Sequence, residues 1–144
     1  MWACSCDGVF KRISIFILSV LSCCVYAEAF LPAKQAFDFT WQQNKQAINL
    51  NWRIQAGYFL YREKIKANNL SNKHNIQIHV PAGRQIADPI FGQVSILEDQ
   101  LTINIPLNAM PNNTDAIEVH YQGCALAGLC YPPSKEVIQL KIKQ

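Results

Sequence analysis

The chain has 144 residues and a formal net charge of +3; half of its residues are hydrophobic and 16% are charged. This length predicts one domain, and this composition permits a sizeable core and excludes a disordered chain. The Lys and Arg residues are scattered along the chain, which excludes the basic face that a nucleic-acid-binding protein needs. We expect one globular domain without a nucleic-acid partner.

Residues 1–29 have the composition of a secretory signal peptide. Lys11 and Arg12 precede an apolar run, Ile13–Val25, and residues 27–29 read AEA. A basic segment, a short apolar segment and an A-x-A site in this order are typical of an exported protein. A transmembrane anchor is the alternative, but the run is shorter than the roughly 18 residues that span a bilayer.

Cleavage before Phe30 would leave a mature domain of residues 30–144 and would remove four of the six cysteines. Lipidation at Cys23 is a second alternative, because the residues before it weakly resemble a bacterial lipobox. The two remaining cysteines, Cys124 and Cys130, would enter an oxidising compartment, where a disulfide persists.

Apolar residues alternate with polar ones through most of the mature chain, a period of two that is typical of strands with one buried face. Turn signals such as Pro81-Ala82-Gly83 separate the alternating segments, and no segment has a helical period longer than two turns. The alternating apolar positions are Phe37, Phe39, Trp41, Ile48, Leu50, Trp52, Ile54, Ile76, Ile78, Val80, Val94, Ile96, Leu101, Ile103, Ile105, Ile117, Val119, Tyr121, Ile138, Leu140 and Ile142.

This pattern predicts an all-β fold, an immunoglobulin-like antiparallel β-sandwich of about seven or eight short strands. The disulfide that joins the two sheets of many immunoglobulin domains needs cysteines far apart in sequence, whereas Cys124 and Cys130 are six positions apart. Burial of Trp and Phe side chains must therefore hold the sheets together. No heptad pattern or long apolar edge indicates an oligomer, so we expect a monomer.

The two cysteines lie in the segment 121–133, which reads YQGCALAGLCYPP. A disulfide across so short a loop stabilises a fold by only about 2 kcal/mol, because the entropy removed from the unfolded chain grows with loop length. A pair so close can instead act as a two-electron switch, through thiolate attack and a mixed disulfide. We expect the Cα atoms of Cys124 and Cys130 to lie about 4.4–6.8 Å apart, between the strands of Tyr121 and Ile138.

The spacing leaves a structural disulfide and a redox switch both open. Gly123 and Gly128 permit a tight backbone path, and Pro132 stiffens its exit. A metal site is disfavoured, because a lone Cys-x5-Cys lacks a second pair of ligands and the histidines have no zinc-site spacing. The only redox group that we expect is therefore the disulfide itself, with no metal and no bound cofactor.

The residues around the cysteines closely resemble the active-site loop of the N-terminal periplasmic domain of DsbD, the bacterial thiol:disulfide interchange protein. Further segments that resemble this domain are residues 31–37 (LPAKQAF), 50–54 (LNWRI) and 57–62 (GYFLYR). The resemblance thus extends through most of residues 30–144. The shared loop residues are Tyr121, Gln122, Gly123, Cys124, Ala125, Ala127, Gly128, Cys130, Tyr131, Pro132 and Pro133.

This resemblance implies an immunoglobulin-like fold and a protein-disulfide reductase that relays electrons in the periplasm. In the family, the thioredoxin-like C-terminal domain of the DsbD membrane reductase reduces this domain. The domain then reduces disulfide isomerases of the DsbC and DsbG type and the thioredoxin-like protein of cytochrome c maturation. By the same resemblance, Cys130 forms the mixed disulfide with a partner and Cys124 resolves it.

The resemblance also implies a cap loop over the cysteines, at residues 88–92. The family pattern has two acids, two aromatic residues and then Gly, whereas this chain has DPIFG. Asp88 and Gly92 match that pattern. Ile90 stands where the family has the aromatic residue that lies over the disulfide, so shielding is expected from Ile90 or Phe91.

Two positions of the GYFLYR segment bear on the loop. Phe59 stands where the family has Tyr, so any hydrogen bond from that hydroxyl is lost, whereas Tyr61 is retained as an expected support of the loop. The chain ends without the membrane and thioredoxin-like domains of DsbD, so we expect a free-standing relay or one piece of a split DsbD. The alternative function is a non-catalytic periplasmic binding module whose disulfide stiffens a recognition loop.

Overall fold

The computed structural model describes residues 29–111 and 114–141. Residues 1–28 of the predicted signal peptide, and Ile142 of the last predicted strand, lie outside the described residues. The described residues form one short helix, two 3-10 turns and eleven strands. The helix α1 is Ala33–Ala36, and the 3-10 turns are Arg62–Lys64 and Leu107–Ala109. The strands are β1 Phe37–Gln43, β2 Ala47–Ile54, β3 Tyr58–Tyr61, β4 Lys66–Asn69, β5 Asn75–Ile76, β6 Arg84–Asp88, β7 Gly92–Leu97, β8 Gln100–Pro106, β9 Ala116–Tyr121, β10 Gly123–Ala125 and β11 Ser134–Gln139.

The strands pair antiparallel, and the all-β prediction is confirmed. They form three sheets with the orders β1-β2-β8, β10-β3-β7-β6 and β11-β9-β4-β5. The strand that ends at Tyr121 is paired with the strand that carries Ile138, in the register Ile117↔Ile138. The cysteine segment therefore connects two neighbouring strands, as the sequence predicts.

The strands are shorter and more numerous than the alternation predicts. Of the predicted strand at residues 76–80, only Ile76 lies in a ladder, opposite Ala67. Beyond it the backbone turns away, and the guanidinium of Arg62 donates hydrogen bonds to the carbonyl oxygens of Val80 and Pro81, at 3.0 and 2.9 Å. A side chain thus satisfies carbonyl groups that a neighbouring strand would otherwise pair.

The main core lies between the sheets of β1-β2-β8 and β11-β9-β4-β5. Trp52, which is 2% exposed, contacts Phe39 and Tyr121 with ring centroids 4.8 and 5.7 Å apart. Phe39 and Trp52 belong to one sheet and Tyr121 to the other, so buried aromatic side chains join the sheets, as predicted. Burial raises the pKa of the Tyr121 hydroxyl to about 12.

A second, smaller core lies under the sheet β10-β3-β7-β6. It consists of Phe59, Tyr61, Ile96 and Cys124, all buried. One cysteine of the pair is thus part of an apolar cluster that β3, β7 and β10 form together. Within residues 29–111 and 114–141, no helix has both the length and the apolar character to span a membrane.

Candidate redox site around a cysteine pair

The chain changes sheets immediately before the first cysteine. β9 ends at Tyr121, and after Gln122 the strand β10 pairs with β3 in another sheet, in the register Cys124↔Phe59. Gly123 stands at this crossing, where an added Cβ atom would lie 2.3 Å from the carbonyl oxygen of Phe59 and 2.5 Å from the Phe37 ring. Only glycine fits so close an approach of the two backbones.

Cys124 and Cys130 form a disulfide, and their Cα atoms are 4.0 Å apart. This separation is shorter than the expected range because the two residues face each other as an antiparallel bridge. Hydrogen bonds flank the bridge, from Tyr131 N to Gly123 O at 3.0 Å and from Ala125 N to Leu129 O at 2.7 Å. The cysteines therefore occupy a non-hydrogen-bonded position of the ladder, where facing Cα atoms lie closest.

A three-residue turn joins the two halves of this bridge. The N–H of Gly128 donates to the carbonyl oxygen of Ala125 at 2.9 Å, and the φ of Gly128 is +102°. A left-handed glycine at the end of a three-residue hairpin is the usual way to close such a loop. Leu126, the first residue of the turn, is 55% exposed, and Leu129, which follows the turn, is 37% exposed.

The two sulfur atoms differ in their surroundings. Cys124 is 1% exposed and packs with the second core, whereas Cys130 is exposed. Of the two cysteines, Cys130 is therefore the one that lies at the surface of the domain. The disulfide thus joins a buried residue to an exposed one.

Tyr61 lies at the end of β3 beside both sulfur atoms. Its hydroxyl oxygen is 3.2 Å from Sγ of Cys124 and 3.9 Å from Sγ of Cys130, and it donates a hydrogen bond to Oδ2 of Asp88 at 2.6 Å. Burial, and then the bond to Asp88, raises the pKa of the Tyr61 hydroxyl well above its usual value. The hydroxyl therefore stays protonated at neutral pH, and it can donate a hydrogen bond.

Asp88 organises the predicted cap loop, which is the turn between β6 and β7. Its Oδ1 accepts hydrogen bonds from the N–H groups of Ile90 and Phe91, at 2.8 and 2.9 Å. The hydrogen bond from Tyr61, and then the one from the Phe91 amide, lowers the pKa of the Asp88 carboxyl. Gly92 ends the turn with a φ of +74°.

The structure distinguishes the two residues expected to shield the cysteines. Ile90 is 70% exposed, whereas the ring of Phe91 packs perpendicular to the ring of Tyr61, with centroids 5.4 Å apart. Phe91 is still 44% exposed, so it lies at the surface and not in the core. The turn thus contacts the site through the ring of Phe91, which packs against Tyr61.

The other predicted support residues have separate roles. Tyr121 belongs to the main core and not to the cluster that contains Cys124, and Pro132 is exposed. The Tyr131 hydroxyl donates to the carbonyl oxygen of Leu31 at 2.5 Å, and the N–H of Leu31 donates to the Tyr58 hydroxyl at 2.9 Å. The residue after the exposed cysteine therefore holds the segment that precedes α1.

Sequence reasoning missed this clamp on Leu31 and also missed Lys64, whose Nζ lies 4.6 Å from the centre of the Phe91 ring. Tyr58 and Leu31 stand in segments that resemble the family, but nothing in their spacing shows that they meet.

Among residues 29–111 and 114–141, no group of three or more His, Cys, Asp and Glu side chains is placed to hold a metal ion.

The fold and the site define an immunoglobulin-like β domain with a disulfide between a buried cysteine and an exposed one. A family profile described as "Thiol:disulfide interchange protein DsbD, N-terminal" matches residues 27–142. Among curated relatives, DsbD of Escherichia coli strain K12 is 36% identical over 140 residues, and DsbD of Citrobacter koseri is 35% identical over 138. The chain belongs to the family of DsbD N-terminal domains. These alignments cover 90% of this chain but only 24% of each relative, so the chain corresponds to about a quarter of those proteins.

Solved structures confirm the immunoglobulin-like fold. The reduced N-terminal domain of Neisseria meningitidis DsbD is 24% identical, with a TM-score of 0.63 over 80% of this chain and 92% of that one. A second structure is a complex between the DsbD N-terminal and PilB N-terminal domains of the same species. Its matching chain is 26% identical, with a TM-score of 0.63 over 76% of this chain and 86% of that one.

Proposed function

We propose that this domain is a periplasmic thiol-disulfide relay. It takes electrons from a DsbD-type membrane reductase through that protein's thioredoxin-like domain. It passes them to isomerases of the DsbC and DsbG type and to the thioredoxin-like protein of cytochrome c maturation. The observation that carries this proposal is a disulfide in which Cys130 is exposed and Cys124 is buried beside the Tyr61 hydroxyl.

Reduction of the domain begins at the exposed sulfur. A donor thiolate attacks Sγ of Cys130, the Cys124–Cys130 bond breaks, and Cys124 leaves as a thiolate. The donor's second thiolate then attacks the mixed disulfide and releases Cys130, so two electrons enter the domain and the donor becomes a disulfide. The leaving sulfur lies 3.2 Å from the Tyr61 hydroxyl, which can turn its hydrogen bond from Asp88 to the new negative charge.

Delivery of the electrons repeats these steps in reverse. The Cys130 thiolate attacks a partner's disulfide, and the Cys124 thiolate then resolves the mixed disulfide, so the partner leaves as a dithiol. The short ladder around the bridge favours the second step, because backbone hydrogen bonds keep Cys124 and Cys130 facing each other. A solved complex of a related N-terminal domain with a second protein domain supports docking of a partner protein.

The location and the domain limits are part of the proposal. Residues 1–29 would act as a signal peptide, residues 30–144 would form the redox domain, and the mature domain would work as a monomer in the periplasm.

A variant with Cys124→Ser and Cys130→Ser separates this relay from a non-catalytic binding module. Reduced thioredoxin-like domain of E. coli DsbD serves as the electron donor, and an oxidised DsbC-type isomerase serves as the acceptor. We expect the wild-type domain to accelerate reduction of the acceptor and the double variant to leave the rate at that of donor and acceptor alone. Circular dichroism of the variant checks that it is folded, and transfer at the wild-type rate would instead favour the binding module.

A further inference from the structure

Tyr131, the residue after the exposed cysteine, is held at three points. Its N–H donates a hydrogen bond to the carbonyl oxygen of Gly123 at 3.0 Å, and its own carbonyl oxygen accepts one from Nε2 of Gln122 at 3.1 Å. Its hydroxyl donates to the carbonyl oxygen of Leu31 at 2.5 Å, and its ring meets the Phe37 ring edge-on, with centroids 5.5 Å apart. Since the backbone and the hydroxyl of Tyr131 are both held, the exposed cysteine beside it is held in place as well.

Leu31 connects Tyr131 to the other arm of the cysteine hairpin. Its carbonyl oxygen accepts the hydrogen bond from Tyr131, while its N–H donates to the Tyr58 hydroxyl at 2.9 Å. Tyr58 begins β3 and lies opposite Ala125, the residue after the buried cysteine, in the ladder with β10. The main chain of Leu31 thus ties the arm of the exposed cysteine to the strand that pairs with the arm of the buried one.

The hydrogen bonds of this clamp, which consists of Tyr131, Leu31 and Tyr58, involve no sulfur atom. Reduction of the disulfide therefore breaks neither of them directly. Two thiols that are already held facing each other lose less freedom when they form a disulfide, and this favours the oxidised state. The clamp therefore bears on the equilibrium between dithiol and disulfide as well as on the stability of the fold.

We infer that Tyr131 is a positioning residue that, through the clamp, raises the equilibrium constant for oxidation of the cysteine pair. In this reaction Cys124 and Cys130 give up two electrons and two protons as the S–S bond forms, and a disulfide oxidant such as glutathione disulfide takes them up and becomes two thiols. A larger constant makes the reduced domain a stronger electron donor. This consequence for electron delivery rests on the proposed function, whereas the equilibrium is a property of the domain alone.

A Tyr131→Phe variant keeps the aromatic ring and removes the hydrogen bond to Leu31. One hydrogen bond changes an equilibrium constant by about two- to tenfold. We expect the constant for oxidation of the variant by glutathione disulfide to fall by that factor at pH 7, which makes its disulfide easier to reduce. The measurement equilibrates the protein with mixtures of reduced and oxidised glutathione, quenches with acid, and separates dithiol from disulfide after alkylation.

Tyr121→Phe is the matched control, because it removes a tyrosine hydroxyl from the main core and leaves the clamp intact. It should leave the glutathione constant at the wild-type value, even where urea unfolding shows a loss of stability. Tyr58→Phe breaks the other end of the clamp, so it should lower the constant, and the double variant with Tyr131→Phe should lose less than the product of the two single losses.

The inference is overturned if Tyr131→Phe leaves the constant unchanged, if Tyr121→Phe lowers it equally, or if the losses from Tyr131→Phe and Tyr58→Phe multiply. No partner protein is present in this measurement. The clamp can therefore fail its test while the relay passes, and the relay can fail while the clamp passes.

Discussion

A Cys124→Ser variant is expected to accumulate a covalent complex with an oxidised partner through Cys130. Cys130 is exposed, so its thiolate can attack the partner's disulfide, but the serine hydroxyl at position 124 cannot resolve the product. The substitution replaces sulfur by oxygen at a site that is 1% exposed, so the shape of the second core is nearly unchanged. The measurement is non-reducing electrophoresis of the reduced variant mixed with oxidised DsbC-type isomerase and quenched with acid.

The Cys130→Ser variant is the matched control for this experiment. The remaining thiol, on Cys124, is buried with Phe59, Tyr61 and Ile96, so it cannot reach a partner and should give little covalent complex. A complex formed through Cys124 and not through Cys130 would reverse the proposed roles of the two cysteines.

A Gly123→Ala variant is expected to lose about 3 kcal/mol of unfolding free energy, at the upper end of the usual cost of overpacking. The added methyl group would lie 2.3 Å from a backbone oxygen of β3, which cannot move without shifting the strand, and 2.5 Å from the ring of Phe37, which is 1% exposed. β10 would have to move off β3, and Cys124 would move with it. Urea unfolding of the oxidised protein measures the loss.

Gly128→Ala is the control for this second prediction, because Gly128 lies in the same loop with open space around its Cα atom. Its φ of +102° makes alanine strained there by about 1–2 kcal/mol, without a steric clash. Equal losses for the two variants would contradict the close approach of β10 to β3 at Gly123.

The alternation of apolar residues predicted most of the core but not the paths of the strands. Ile48, Leu50, Trp52 and Ile54 all face inward as their period of two requires. The change of sheet at Gln122 could not be read from that period, because the residues on both sides of it are buried. Strand β6 also escaped prediction, since its residues are exposed or half-buried and its side chains are mostly polar.

The sequence was enough to predict the disulfide of the candidate site, but only part of the contacts around it. The spacing of Cys124 and Cys130, with the residues around them, was enough to predict a disulfide in a loop. The hydrogen bond from Tyr61 to Asp88 and the contact of Lys64 with Phe91 each join residues that are 27 positions apart in the chain. Such contacts depend on how β3 and the β6–β7 hairpin pack, and no local sequence pattern encodes them.

Relay function requires the Cys124–Cys130 pair to be reduced and reoxidised as the domain works. The most direct test is thiol trapping of the exported protein in bacteria with and without a DsbD-type membrane reductase, with acid quenching and alkylation before electrophoresis. We expect a dithiol when the reductase is present and a disulfide when it is absent. A pair that stays oxidised in both strains would contradict electron transfer through this domain.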